Sequence, residues 1–204
     1  LYIDLAHGTK PDPDERQTSQ PALCEWGFWT ASFGPLMVEP IEYEVMSVVI
    51  ASRLPPKATG LIVVRQEPSV ESHLSDLPAY DRFGVFQKIS SIEKEAVLDL
   101  LVKEKNASHF RSSFSLPRSV YLLGEQEAKK VFRGRADWTS FYEAFPESGG
   151  VFFLSRVGFT QSQGQAVVHV GRQWLGRAGG GEFVVLEKVD AKFREVSSVS
   201  TWLS

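Results

Sequence analysis

Cysteine is nearly missing from this chain: Cys24 is the only one in 204 residues. One thiol closes no intramolecular disulfide and builds no cysteine-based metal cage, so the fold must rest on its core. Set in a tryptophan-rich apolar run, Cys24 reads as an inert buried side chain. Histidine is almost as sparse. His7, His73, His109 and His169 stand far apart with no HxH or HxxxH pair, so neither a metal site nor a cofactor is expected. An excess of positive charge is missing too. Lys and Arg number 22 against 25 Asp and Glu, for a net charge of -3, which argues against nucleic acid as a partner. The longest apolar stretch, ALCEWGFWTASFGPLMV at 22–38, is broken by Glu25 and two glycines. That suits a core or docking surface better than a membrane span of about 20 residues, and no transmembrane segment is expected. Neither FLSRV at 153–157 nor PESGG at 146–150 supplies the G-x-S-x-G elbow of a serine hydrolase.

What is present is a chain 43% hydrophobic, enough to bury a core. Residues 1–39, which include HGTKPDPDERQTSQP at 7–21, lack periodicity and read as an irregular N-terminal arm. The chain opens on Leu1, and a removed signal peptide is one expectation for what preceded it. Residues 40–204 read as a single α+β domain. From Pro40, a good first helical residue, Ile41, Val45, Val48, Val49 and Ser52 recur at helical spacing until Pro55 and Pro56. LIVV at 61–64 reads as a buried strand, and EPSVESHLSDLP at 67–78 as a polar linker. Ser90 and Glu93 form a capping box for an amphipathic helix running to about Lys105. SVYLL at 119–123 predicts a short strand and EQEAKKVF at 125–132 a short helix, acidic first and basic last. Trp138, Phe141, Tyr142 and Phe145 fall at i, i+3, i+4 and i+7, a stripe that faces the core or, in the sharper reading, lines a ligand pocket.

After Gly149 and Gly150 the hydrophobic period changes from 3.6 to 2. VFFLSRVGF, QAVVHV, EFVVLEKV and AKFREVSSV predict four strands in an antiparallel meander, the last two joined by a tight turn at Asp190 and Ala191. Helices first and strands afterwards predict an α+β fold with the helices on one sheet face, the outline shared by cystatin-like and nuclear-transport-factor-2-like folds. Fold outline does not confer function.

The succession LSRVGF at 154–159, QAVVHV at 165–170, GRAGGGEFVVLEK at 176–188 and TWLS at 201–204, with FYEAFPESGG and YEVMSVVIASRL upstream, resembles a family of small uncharacterised bacterial proteins, many of them exported. The resemblance covers about residues 40–204. It implies a bacterial origin and a location outside the cytoplasm, and it assigns no catalytic residue.

Two places carry the candidate chemistry. Alternation sends Ala166, Val168 and Val170 to one face and Gln165, Val167 and His169 to the other. His169 is therefore either an exposed strand histidine or, if helices cover its face, a general base sharing a pocket with residues 137–142. QAVV also resembles the Q-x-V-x-G inhibitory hairpin of cystatins, but His169 takes the place of the glycine and the run lies within a strand. The second place is GRQWLGRAGGG at 171–181, expected to be a flexible hairpin tip whose glycines supply positive φ. A nucleotide cradle needs a helix after the glycines, and a strand follows here. Arg172 and Arg177 are candidates to close over an anion, with Trp174 folding back or meeting a partner. The expected function is a noncatalytic binding or interaction domain for a protein or small molecule. The alternative is a small-molecule-binding domain or cryptic hydrolase with its pocket between helices and sheet.

Overall fold

A computed structural model describes residues 37–68, 91–106, 108–132, 137–176 and 178–203. Most of the expected arm, Cys24, Ser90 and Arg177 lie outside the described residues. In chain order the elements are α1 (Pro40–Arg53), β1 (Ile62–Arg65), α2 (Lys94–Glu104), β2 (Val120–Leu123), α3 (Glu125–Val131), α4 (Trp138–Ala144), β3 (Val151–Phe159), β4 (Gln165–Leu175), β5 (Ala178–Val189) and β6 (Lys192–Leu203). The strands form one six-stranded sheet in the order β2-β1-β3-β4-β5-β6. β1 runs parallel to both β2 and β3, whereas β3 to β6 are successive antiparallel neighbours. The meander is thus one part of a mixed sheet. The helix expected from Ser90 starts at Lys94 with Glu93 as its N-cap residue, whose N–H is taken by the Gln165 side chain at 2.7 Å.

Helices lie on both faces, which corrects the one-sided arrangement and departs from the outline named above. α1 and Phe110 pack on Ile62, Val64, Phe152, Leu154, Val168, Val170, Val184 and Leu186. On the opposite face, Ala96, Val97 and Leu100 of α2 meet Val167, Phe183 and Val185. Further along that face, Ala128 of α3 and Trp138 and Phe141 of α4 meet Val63, Leu123 and Val151. The cause is visible in composition: LIVV and VFFL are continuous apolar runs, as strands covered on both faces are, and do not alternate with polar residues. Trp138 is 7% exposed and belongs to this core, so the aromatic stripe of α4 faces inward.

β1 reaches β3 only through Val63↔Val151 and Val64↔Phe152, so the rest of β3 has an open edge. Helices cap it. The N–H groups of Arg156, Val157 and Phe159 donate to Glu104 at 2.6 Å, Glu42 at 2.9 Å and Asp99 at 2.8 Å, and Lys103 donates to the Val157 carbonyl at 3.0 Å. α2 comes this close because Gly158 carries no side chain: a Cβ there would stand 2.6 Å from the Leu100 nitrogen. Within the same edge, the bulge between Leu154 and Val157 turns Arg156 inward onto Glu42 of α1. Arg156 Nε and Nη2 donate to Glu42 Oε2 at 2.9 Å and Oε1 at 2.7 Å, and the two residues are 1% and 0% exposed. Glu42 Oε1 also accepts the Glu39 N–H at 3.1 Å at the start of α1. Burial opposes the guanidinium charge, but the Glu42 carboxylate outweighs it and holds Arg156 protonated.

At the outer edge, β6 carries an extra residue at two places, Val196 and Thr201, where its register with β5 shifts. The expected turn between β5 and β6 is present, with Asp190 at φ 50° and Ala191 at φ 63°.

Replacing one partner of a buried pair leaves an uncompensated charge. Glu42→Ala is therefore expected to lose about 3 to 5 kcal/mol of stability, read from the urea unfolding midpoint. An alanine in the left-handed region is strained by roughly 1 to 2 kcal/mol, partly offset in glycine by the freer unfolded chain. Ala191→Gly should thus raise stability by about 0.5 to 1 kcal/mol in the same assay.

Candidate functional site

Residues 171–175 and 178–181 are strand, so the expected long flexible tip is not present in them. β4 continues to Leu175 and β5 resumes at Ala178, with Gly171↔Gly181, Arg172↔Gly180 and Gln173↔Gly179 in register. Among the described residues, Gly150 is the only glycine with positive φ. Gly179 and Gly181 serve close approach instead: the Trp202 ring lies over them, and a Cβ on Gly179 would stand 2.6 Å from its Cη2. With the amides committed to the ladder, no phosphate nest forms at this place.

The alternation that turns Val168 and Val170 toward α1 carries Arg172 to the same face. There its guanidinium lies 4.4 Å from the centre of the Trp174 ring and 6.0 Å from that of Phe152. Nη1 donates to the carbonyl of Arg53, the last residue of α1, at 2.9 Å. Nε and Nη2 make no hydrogen bond among the described residues, and no carboxylate pairs with Arg172 there. Burial accordingly pulls its pKa below the usual arginine value. The Tyr142 hydroxyl donates to the Trp174 carbonyl at 2.6 Å and ties the end of β4 to α4. Burial also raises the Tyr142 pKa, so that hydroxyl keeps its proton.

Beside Arg172 the carboxylates are concentrated on Arg53. Its Nε donates to Glu182 at 2.9 Å and its Nη1 to Glu195 at 2.6 Å. Burial works against the Arg53 charge, but the Glu195 and Glu182 hydrogen bonds outweigh it and raise its pKa. Burial likewise works against the Glu182 carboxylate, yet Arg53 holds its pKa below the usual carboxylate range. Arg53, Arg172, Glu182 and Ser200 line a cleft of about 250 Å³ over Phe152 and Val170, with Gly180 and Gly181 at its side. Arg172 and Trp174 also face a second, more open hollow of about 510 Å³ beside Lys57, Tyr142 and Ser148.

The structure thus brings together Tyr142, Arg172 and Trp174 from the sequence candidates and leaves others apart. Trp138 sits behind Tyr142 in the core, with ring centres 6.0 Å apart, and its Nε1 has no hydrogen-bond partner among the described residues. His169 is on the α2 face and fully buried, so it is not an exposed strand histidine. Its Nε2 lies 3.1 Å from the Thr201 hydroxyl, its ring is edge-on to Phe183, and its Nδ1 has no partner among the described residues. Burial lowers its pKa from 6.5 to about 4, and among the described residues no carboxylate hydrogen-bonds to the ring as the orienting partner of a general base would. Sequence reading missed Arg53, Glu182, Glu195 and Ser200. Arg53 stands 129 and 142 residues from its two carboxylates, and no local spacing signals such a group.

Among the described residues no three His, Cys, Asp or Glu are placed to hold a metal ion, and no helix is long and apolar enough to cross a membrane. No protein-family model, curated protein or solved structure matches this chain.

His169 makes stability depend on pH. Above 6.5 both folded and unfolded chains hold the ring neutral; as pH falls toward about 4 only the unfolded chain takes up the proton. Stability supplied by the neutral ring is therefore complete above 6.5 and declines to a floor near pH 4, by about 3 kcal/mol in all. Denaturant unfolding from pH 7 to pH 4.5 is expected to show a slope shallower by about one proton in His169→Gln than in the parent. Equal slopes would show that the ring titrates normally.

Proposed function

We propose that this chain is a noncatalytic binding domain that holds an organic anion in the cleft over Phe152 and Val170. The observation that carries the reading is the Nε–Nη2 edge of Arg172, which no described residue occupies, on a half-buried guanidinium already immobilised by Trp174 and the Arg53 carbonyl. A planar fork of two N–H donors matches the two oxygens of a carboxylate or phosphate, and its fixed position removes ordering cost on binding. A volume of about 250 Å³ falls below the roughly 300 to 1,000 Å³ of pockets for drug-sized ligands, which supports a compact occupant over a nucleotide. His169, fully buried and away from the cleft lining, supports a role in binding over hydrolysis there. With this reading go the bacterial origin and extracytoplasmic location implied by the resemblance of residues 40–204.

Calorimetric titration with acetate, benzoate, succinate, inorganic phosphate and ATP tests it. Saturable binding of a small carboxylate, and none of ATP, is expected. Arg172→Leu should weaken that binding by about 1.5 to 3 kcal/mol, roughly ten- to a hundredfold, as loss of a charge-assisted hydrogen bond does. Equal affinity in the parent and the variant, or binding of none of these anions, sinks the proposal.

A further inference from the structure

Charge around the cleft is unevenly shared. On one wall Arg172 is a cation that no carboxylate among the described residues pairs with. Elsewhere in the lining Glu182 is paired with Arg53, which it shares with Glu195 just outside the cleft, so that group of three carries a surplus of negative charge. The Glu182 side chain, hydrogen-bonded by Arg53 and Ser198, is 27% exposed and lines the cleft together with its cross-strand neighbour Ser200. Between the two walls the floor is the apolar pair Phe152 and Val170. Positive and negative walls in one small cleft form a dipole, and the occupant that complements it has both charges and no net charge.

On the reading of the cleft given above, we infer that its ligand is an amino-acid zwitterion. The carboxylate takes the Nε–Nη2 edge of Arg172, the ammonium group is received by Glu182 and Ser200, and an apolar side chain covers Phe152 and Val170. A simple carboxylate satisfies Arg172 and leaves the negative wall facing solvent. A simple amine does the reverse and brings a second cation beside Arg172. Discrimination against both follows from the arrangement of charges, because each analogue leaves one wall unanswered.

Leucine, 4-methylpentanoate and isopentylamine separate these contributions, since they share one carbon skeleton and differ only in their charged groups. Calorimetry is expected to give leucine an affinity at least tenfold above either analogue. Glu182→Gln should reduce leucine to the level of 4-methylpentanoate while leaving 4-methylpentanoate itself no weaker. Because Glu182 also supports Arg53, unfolding midpoints accompany the titrations, and Glu195→Gln, which thins the negative wall from a more exposed position, should shift leucine in the same direction by a smaller factor. If 4-methylpentanoate binds as tightly as leucine, the zwitterion assignment is overturned and the anion cleft stands. If neither compound binds, both readings fall.

Discussion

The carboxylate of Glu42 is where α1, the β3 bulge and the open edge of the sheet meet. It accepts from its own helix start, from the Arg156 guanidinium and from the Val157 N–H, all without access to solvent. Removing two charges from water costs several kcal/mol per ion, and complete hydrogen bonding offsets this only in one geometry. The pair therefore selects a position for α1 more than it adds stability. A helix slipped by one turn would keep apolar contacts with Val168 and Val184 but would bury Glu42 against nothing. Since α1 is continuous, fixing Glu42 also fixes Arg53 about 16 Å further along the helix axis. The wall of the cleft is thus positioned from the opposite end of the helix.

How far the sequence discloses this depends on how local each signal is. The 3.6-residue stripe of α1, the aromatic stripe of α4 and the strand-like runs of β3 to β6 are local, and each appears where pattern places it. The turn at Asp190 and Ala191 is also local. Face assignment is not: LIVV states that a strand is buried but not which helix covers which side, and the economical one-sided arrangement fails for that reason. The glycines of 171–181 mislead in a different way. Glycine is required both for positive φ and for close approach, and only the distant Trp202 decides between them. Glu42 and Arg156 are hidden for a third reason, since a glutamate on a helix and an arginine in a strand each look solvated until a bulge turns them together.

Three arginines on the same sheet face have three different environments. Arg156 is buried against Glu42, Arg53 is shared by two carboxylates, and Arg172 has an aromatic ring and a carbonyl but no counter-ion among the described residues. Arginine is suited to each setting because its plane stacks and its fork bonds independently. The unequal distribution of carboxylates, and not any unusual residue type, sets the Arg172 cleft apart. Tyr142 contributes by holding the backbone of Trp174, so the stacking surface keeps its place without a ligand.

The two irregularities in β6, at Val196 and Thr201, have a bearing on how the molecule behaves in company. As the outermost strand it presents a row of backbone donors and acceptors along Lys192–Leu203, and the segment VSSVS within it has neither charge nor proline to deter a visitor. Each inserted residue interrupts that row and increases the local twist, so no straight stretch long enough to template a neighbouring chain survives. Protection from fibril-like growth therefore comes here from interrupted spacing along the backbone, in a stretch where side chains offer little of it.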